Sequence, residues 1–97
     1  MIDEDIKQRI RYARAKLRNI PYYWDYDESL GECRSRKQYM HILRSFRKQL
    51  ESLLLDIGKE DNSYDVSVFK NIIKIISPKI KKEDCSEVIN KMKAYVY

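Results

Sequence analysis

Ninety-seven residues, 43% hydrophobic and 36% charged, describe one globular domain with a heavily solvated exterior, too short for a second lobe and too apolar to stay disordered. A net charge of +5 and a pI near 9.2 favour an anionic partner, whether nucleic acid, a membrane surface or an acidic protein. With two glycines there is no phosphate-cradling loop, and no apolar run approaches the roughly 20 residues that a membrane span needs.

The opening MIDEDIKQ is acidic where an export signal is basic and then apolar, so a cytoplasmic protein is expected. Cys33 and Cys85 stand far apart without a CxxC pair and read as two free thiols. Pro21, Gly31, Gly58 and Pro78 all fall between stretches of helical periodicity, which predicts four helices.

The first helix is expected from about Asp3 to Arg18, with Ile2, Ile6, Ile10, Ala13, Leu17 and Ile20 on one stripe ending before Pro21. Asp3, Glu4 and Asp5 occupy the end where the helix dipole favours negative charge. At about 100° per residue, Lys7, Arg11, Arg14 and Arg18 form a second, cationic stripe away from the apolar one.

Residues 21 to 33, PYYWDYDESLGEC, carry four carboxylates, no base, three tyrosines and the single tryptophan. This composition predicts an aromatic, acidic connecting loop whose rings lie over an end of the bundle.

The second helix is the central one. Tyr39, Leu43, Phe46, Leu50, Leu53 and Ile57 recur at alternating steps of four and three, a seam that must be covered by other helices or by a second chain. Ser35 with Gln38, or Ser29 with Glu32, can supply a capping box, and Gly58 the C-terminal stop. Starting at Ser35 places Arg36 and Lys37 in the first turn, where cations are disfavoured unless an anion is nearby.

After the polar linker KEDNSYD, Asp65 or Ser63 can cap a third helix from about Val66 to Ile76, built on Val68, Phe69, Ile72 and Ile76. A fourth begins between Lys82 and Asp84, with Asp84 and Glu87 as a possible cap pair and the stripe Cys85, Val88, Ile89, Met92 and Val96. The expected fold is an all-α four-helix bundle, or a three-helix core plus an N-terminal helix, spanning residues 1–97 as one domain.

Catalytic signals are weak. His41 lies off the seam without a Ser, Cys or carboxylate at triad spacing, and Cys33, His41 and Cys85 lack the close ligand pairs of a zinc site. Asp25, Asp27 and Glu28 offer hard oxygens, yet no glycine-bearing calcium loop surrounds them. The expectation is therefore a protein that is not an enzyme and needs neither cofactor nor metal.

Charge alternates by segment: residues 1–20 sum to +3, 21–33 to −4, 34–58 to +4, 59–65 to −2 and 66–97 to +4. All eight arginines fall within the first 47 residues, where their planar forks suit carboxylates and phosphates. The leading expectation is a binding module for a protein partner, with Tyr22, Tyr23, Trp24 and Tyr26 as exposed apolar anchors and Arg34 and Arg36 as charged orienters. On that reading, replacing Trp24 by Ala weakens partner capture and leaves the fold intact; if the change instead unfolds the protein, the aromatics are a lid on the core.

The alternative is nucleic-acid binding by Lys7, Arg11, Arg14 and Arg18, joined by Arg44, Arg47 and Lys48. Helices three and four, turning at Pro78, resemble a helix-turn-helix only weakly, because CSEVINKMKAYVY offers little beyond Asn90 to read base edges. A homodimer through the second helix's seam is a further option. The lysine- and tyrosine-rich composition suits a phage or mobile-element regulator or inhibitor from an AT-rich genome.

Overall fold

A computed structural model of the chain describes residues 2–31 and 35–96, the side chain of Ser35 excepted. Among them are four α-helices and no strand: α1 (Glu4–Ser29), α2 (Ser35–Glu60), α3 (Ser67–Ile75) and α4 (Cys85–Met92), with 3₁₀ turns at Lys82–Asp84 and Lys93–Tyr95. The molecule measures 46 × 23 × 20 Å, its long dimension set by the two 26-residue helices, each about 39 Å at roughly 1.5 Å per residue.

The expected aromatic loop does not form. Residues 21–29 continue α1, and Pro21 sits inside it. An interior proline costs a helix about 3 kcal/mol through its missing N–H and its clash with the preceding turn. The apolar stripe outweighs that penalty, because Leu17, Ile20, Pro21 and Trp24 carry it one further turn into the core. The chain leaves α1 at Gly31, whose φ of +70° is open to glycine at little cost, and whose N–H bonds to the Glu28 carbonyl. At the other end Asp3 caps the helix as its position suggests, accepting from the Ile6 N–H at 2.9 Å.

The starting residue of α2 is settled against Ser29, which is the last residue of α1 and donates its hydroxyl to the Tyr26 carbonyl. The capping role suggested for Ser35 falls outside the described side chains. Arg36 and Lys37 do occupy the first turn, and Glu28 of α1 lies 3.6 Å from the Arg36 guanidinium as the nearby anion that turn needs.

Gly58 does not stop α2. It is helical, the helix runs on to Glu60, and a Cβ there would meet nothing within 4 Å. Gly58→Ala is therefore expected to stabilise the fold by about 0.5–1 kcal/mol, read as a higher urea midpoint with unchanged slope.

The two long helices run antiparallel. Arg9 reaches Asp56, Lys16 reaches Gln49 and the Tyr39 hydroxyl donates to Asp27, so partners on α2 descend as those on α1 ascend. The α3–α4 hairpin closes the other side, α3 against α2 and α4 against α1, α2 and α3. The third helix is one residue shorter at each end than expected, and Asp65 bonds the Ser67 N–H at 3.0 Å. Ahead of α4, Asp84 accepts from the Lys81 N–H at 3.1 Å, closing the 3₁₀ turn rather than pairing with Glu87 as a cap.

All six seam residues of α2 are buried, from Leu43 and Leu50 at 0% exposure to Tyr39 at 5%, in one core with Ile72, Ile76, Ile80, Ile89 and Met92. The seam is interior to a single chain, so it is not a surface for the homodimer considered above. Cys85 is free and fully buried, and burial foremost, with the Asp84 charge, pushes its thiol above the usual value. Cys33 lies outside the described residues. No described helix is long and apolar enough to cross a membrane.

Candidate protein-binding surface

Helical geometry splits the aromatic segment in two. Trp24 lies on the apolar stripe and is 3% exposed, its ring edge-on to Tyr39 at 5.0 Å and 87°. It is a core residue, which corrects its expected role as an exposed anchor. Tyr22 and Tyr26 project from the opposite side of the same turns and Tyr23 from the flank beside α2, and Tyr22, Tyr23 and Tyr26 are 68%, 55% and 57% exposed. Tyr22 and Tyr23 meet edge-on at 5.4 Å, and Leu30 extends the exposed apolar surface at the helix end.

Among the described residues, the carboxylates of this segment, Asp25, Asp27 and Glu28, diverge and do not converge on a cation site. Asp25 pairs with Lys93 at 2.7 Å, Asp27 accepts from the Tyr39 hydroxyl at 3.0 Å, and Glu28 faces Arg36. No basic residue lies in the last turn of α1, so these contacts bring cations from α2 and the chain end to the negative end of its dipole. Of the two expected orienters, Arg36 is engaged with Glu28 and Arg34 lies outside the described residues.

Tyr39 joins the two faces of the segment, its ring beneath Trp24 and its hydroxyl on Asp27. Burial first, then the Asp27 carboxylate, drive its phenol far above the ordinary value near 10. A pKa raised in the folded state contributes stability that is fully present below the unfolded value and is lost as pH climbs above it. The fold is therefore expected to weaken above about pH 10, and Tyr39→Phe to weaken less between pH 9 and 11, measured as the shift in urea midpoint.

A groove of about 670 Å³ lies between α1 and α2 beside the tyrosines, with Ile20, Tyr23, Tyr39 and Ile42 among its lining residues. Exposed Tyr12, covered by the Lys16 ammonium at 5.5 Å, continues the outward aromatic face toward the start of α1.

The cationic residues fall into two groups. Lys7, Arg11, Arg14 and Arg18 are all exposed along one edge of α1, and the three arginines line a groove against Tyr64, Val68, Tyr95 and Val96. Arg44, Arg47 and Lys48 line a separate cleft beside Pro78. Arg44 donates to the Ile80 carbonyl there and Arg47 is paired with Glu51. The seven residues therefore do not form one phosphate-tracking surface.

The fourth helix buries Cys85, Val88, Ile89 and Met92, leaving a short outer face of Ser86, Glu87, Asn90 and Lys91 on which Glu87 and Lys91 pair. That face is a poor element for reading base edges. His41 is exposed, and among the described residues no three His, Cys, Asp or Glu side chains gather at metal-binding distances.

Sequence reasoning overlooked Tyr12, Tyr64 and Tyr95. Tyr12 was readable as an aromatic on the outer face of α1, whereas the other two reach the arginine groove from distant parts of the chain and leave no local signal. Comparison with protein-family models, with curated proteins and with solved structures finds no match to this chain.

Proposed function

We propose that this chain is a non-enzymatic binding module that captures a protein partner on the outward face of the C-terminal half of α1. The observation that carries the reading is the exposure of Tyr22, Tyr23 and Tyr26 on a helix pinned from beneath by Trp24. Tyrosine brings large contact area with few rotatable bonds, and a helix whose inner face is locked spends little conformational entropy on binding. A soluble regulator or inhibitor fits this arrangement.

The test is capture from a nuclease-treated extract by immobilised protein. Tyr23→Gln/Tyr26→Gln keeps good helix formers at both positions and is expected to weaken capture about tenfold or more, with the melting midpoint nearly unchanged. Undiminished capture by this variant would remove the tyrosine face from the binding surface.

A second reading is nucleic-acid binding along Lys7, Arg11, Arg14 and Arg18. It is favoured by one observation: among the described residues none of the four lies within ion-pair distance of a carboxylate, while Arg9, Arg36 and Arg47 each do. Four phosphate contacts predict a slope of log affinity against log salt of about −3.6 on duplex DNA. Absence of oligonucleotide binding at low salt would dismiss it.

A further inference from the structure

We propose that the groove between the middle of α1 and the start of α3 docks an acidic, amphipathic helix of a partner protein. Its carboxylates would lie on Arg11, Arg14 and Arg18, and one large apolar side chain on Val68 and Tyr95. The inference rests on the protein-binding reading and names the partner's chemistry on an adjoining edge of the same helix.

Charge complementarity points to the occupant. The three arginines have no carboxylate partner among the described residues, and they rise along α1 in steps of three and four residues, about 4.5 and 6 Å. A second helix bearing carboxylates at i, i+3 and i+7 repeats those steps, and the guanidinium fork takes a carboxylate through two hydrogen bonds. Arg14 is already oriented, donating to the Tyr64 hydroxyl at 3.4 Å across the groove.

The floor separates a peptide from a phosphate backbone. The groove encloses about 560 Å³ and is floored by Leu17, Val66 and Phe69, with Val68 still 41% exposed and Tyr95 36%. An apolar floor between arginines offers a phosphodiester backbone no partner, whereas it buries a leucine or phenylalanine of an amphipathic helix. Asp65 on the far wall is held ionised by its bonds from Ser67. It repels carboxylates there, which sets the charged edge of the occupant along α1 and its apolar edge toward α3.

The probe is a fluorescently labelled helical peptide of about 18 residues, with Glu at i, i+3 and i+7 and Leu on the adjoining edge, followed by anisotropy at low salt. Its controls are the same peptide with Gln for Glu, and single-stranded and duplex oligonucleotides. The Glu peptide is expected to bind, the Gln peptide and the Arg11→Glu/Arg18→Glu protein each to lose at least about tenfold, and Val68→Ser to weaken the peptide about threefold.

Arg11→Gln/Arg18→Gln, a milder change, is expected to give a smaller loss and decides the question if the charge reversal unfolds. Tyr23→Gln/Tyr26→Gln is expected to bind the peptide normally, so the groove and the tyrosine face succeed or fail separately. The inference is overturned by no peptide binding at low salt, by binding indifferent to the arginine changes, or by arginine-dependent oligonucleotide binding tighter than the peptide's.

Discussion

Trp24→Ala is expected to destabilise the protein by about 3–5 kcal/mol and to lower its melting midpoint by roughly 10–40 °C. The indole is 3% exposed, and Tyr39 packs edge-on against it at 5.0 Å. Removing it opens a large cavity at the point where α1 passes Pro21, so the burial that offsets the proline's penalty is lost with the side chain. The last turns of α1 should then fray, loosening the Asp27 contact with the Tyr39 hydroxyl and the Glu28 contact with Arg36. Urea unfolding and the circular-dichroism melt measure the effect. A midpoint within a few degrees of the parent would mean that the indole faces solvent, as its role as an exposed anchor required.

Phe46→Ala should cost about as much, roughly 3–5 kcal/mol, for a different reason. Phe46 is 1% exposed in the middle of the α2 seam, facing a core assembled from α1, α3 and α4, so the void cannot be closed by fraying an end. Because the seam is covered within one chain, the loss should be the same at every protein concentration. A midpoint that rises with concentration, in the parent or the variant, would show instead that a second copy covers the seam.

These two residues mark where sequence reasoning succeeds and where it stops. Tyr39, Leu43, Phe46, Leu50, Leu53 and Ile57 were recognisable as one buried face because a helix converts spacing directly into direction. Trp24 obeys the same rule, seven residues after Leu17 and four after Ile20, but the intervening proline and the four carboxylates that follow read as a loop. A local breaker competes there with a periodic stripe, and the contest is decided by what the stripe packs against. Tyr39, 15 residues further along the chain, supplies that surface.

The candidate surfaces divide in the same way. Exposure of Tyr22, Tyr23 and Tyr26 follows from the wheel once the helix is known to continue, and so does the alignment of Arg11, Arg14 and Arg18. Separation of these arginines from Arg44, Arg47 and Lys48, and the delivery of Tyr64, Val68 and Tyr95 to the far wall of the groove, follow from how the α3–α4 hairpin closes on the long pair.

Residue order alone therefore specified an all-helical chain, the inward row of α2 and the cationic edge of α1, since each depends on neighbours within a turn or two of one another. The extent of α1, the burial of its tryptophan and the shape of the arginine groove awaited the folded molecule, since each arises from contacts between segments that the backbone keeps far apart in sequence and the hydrophobic effect brings together.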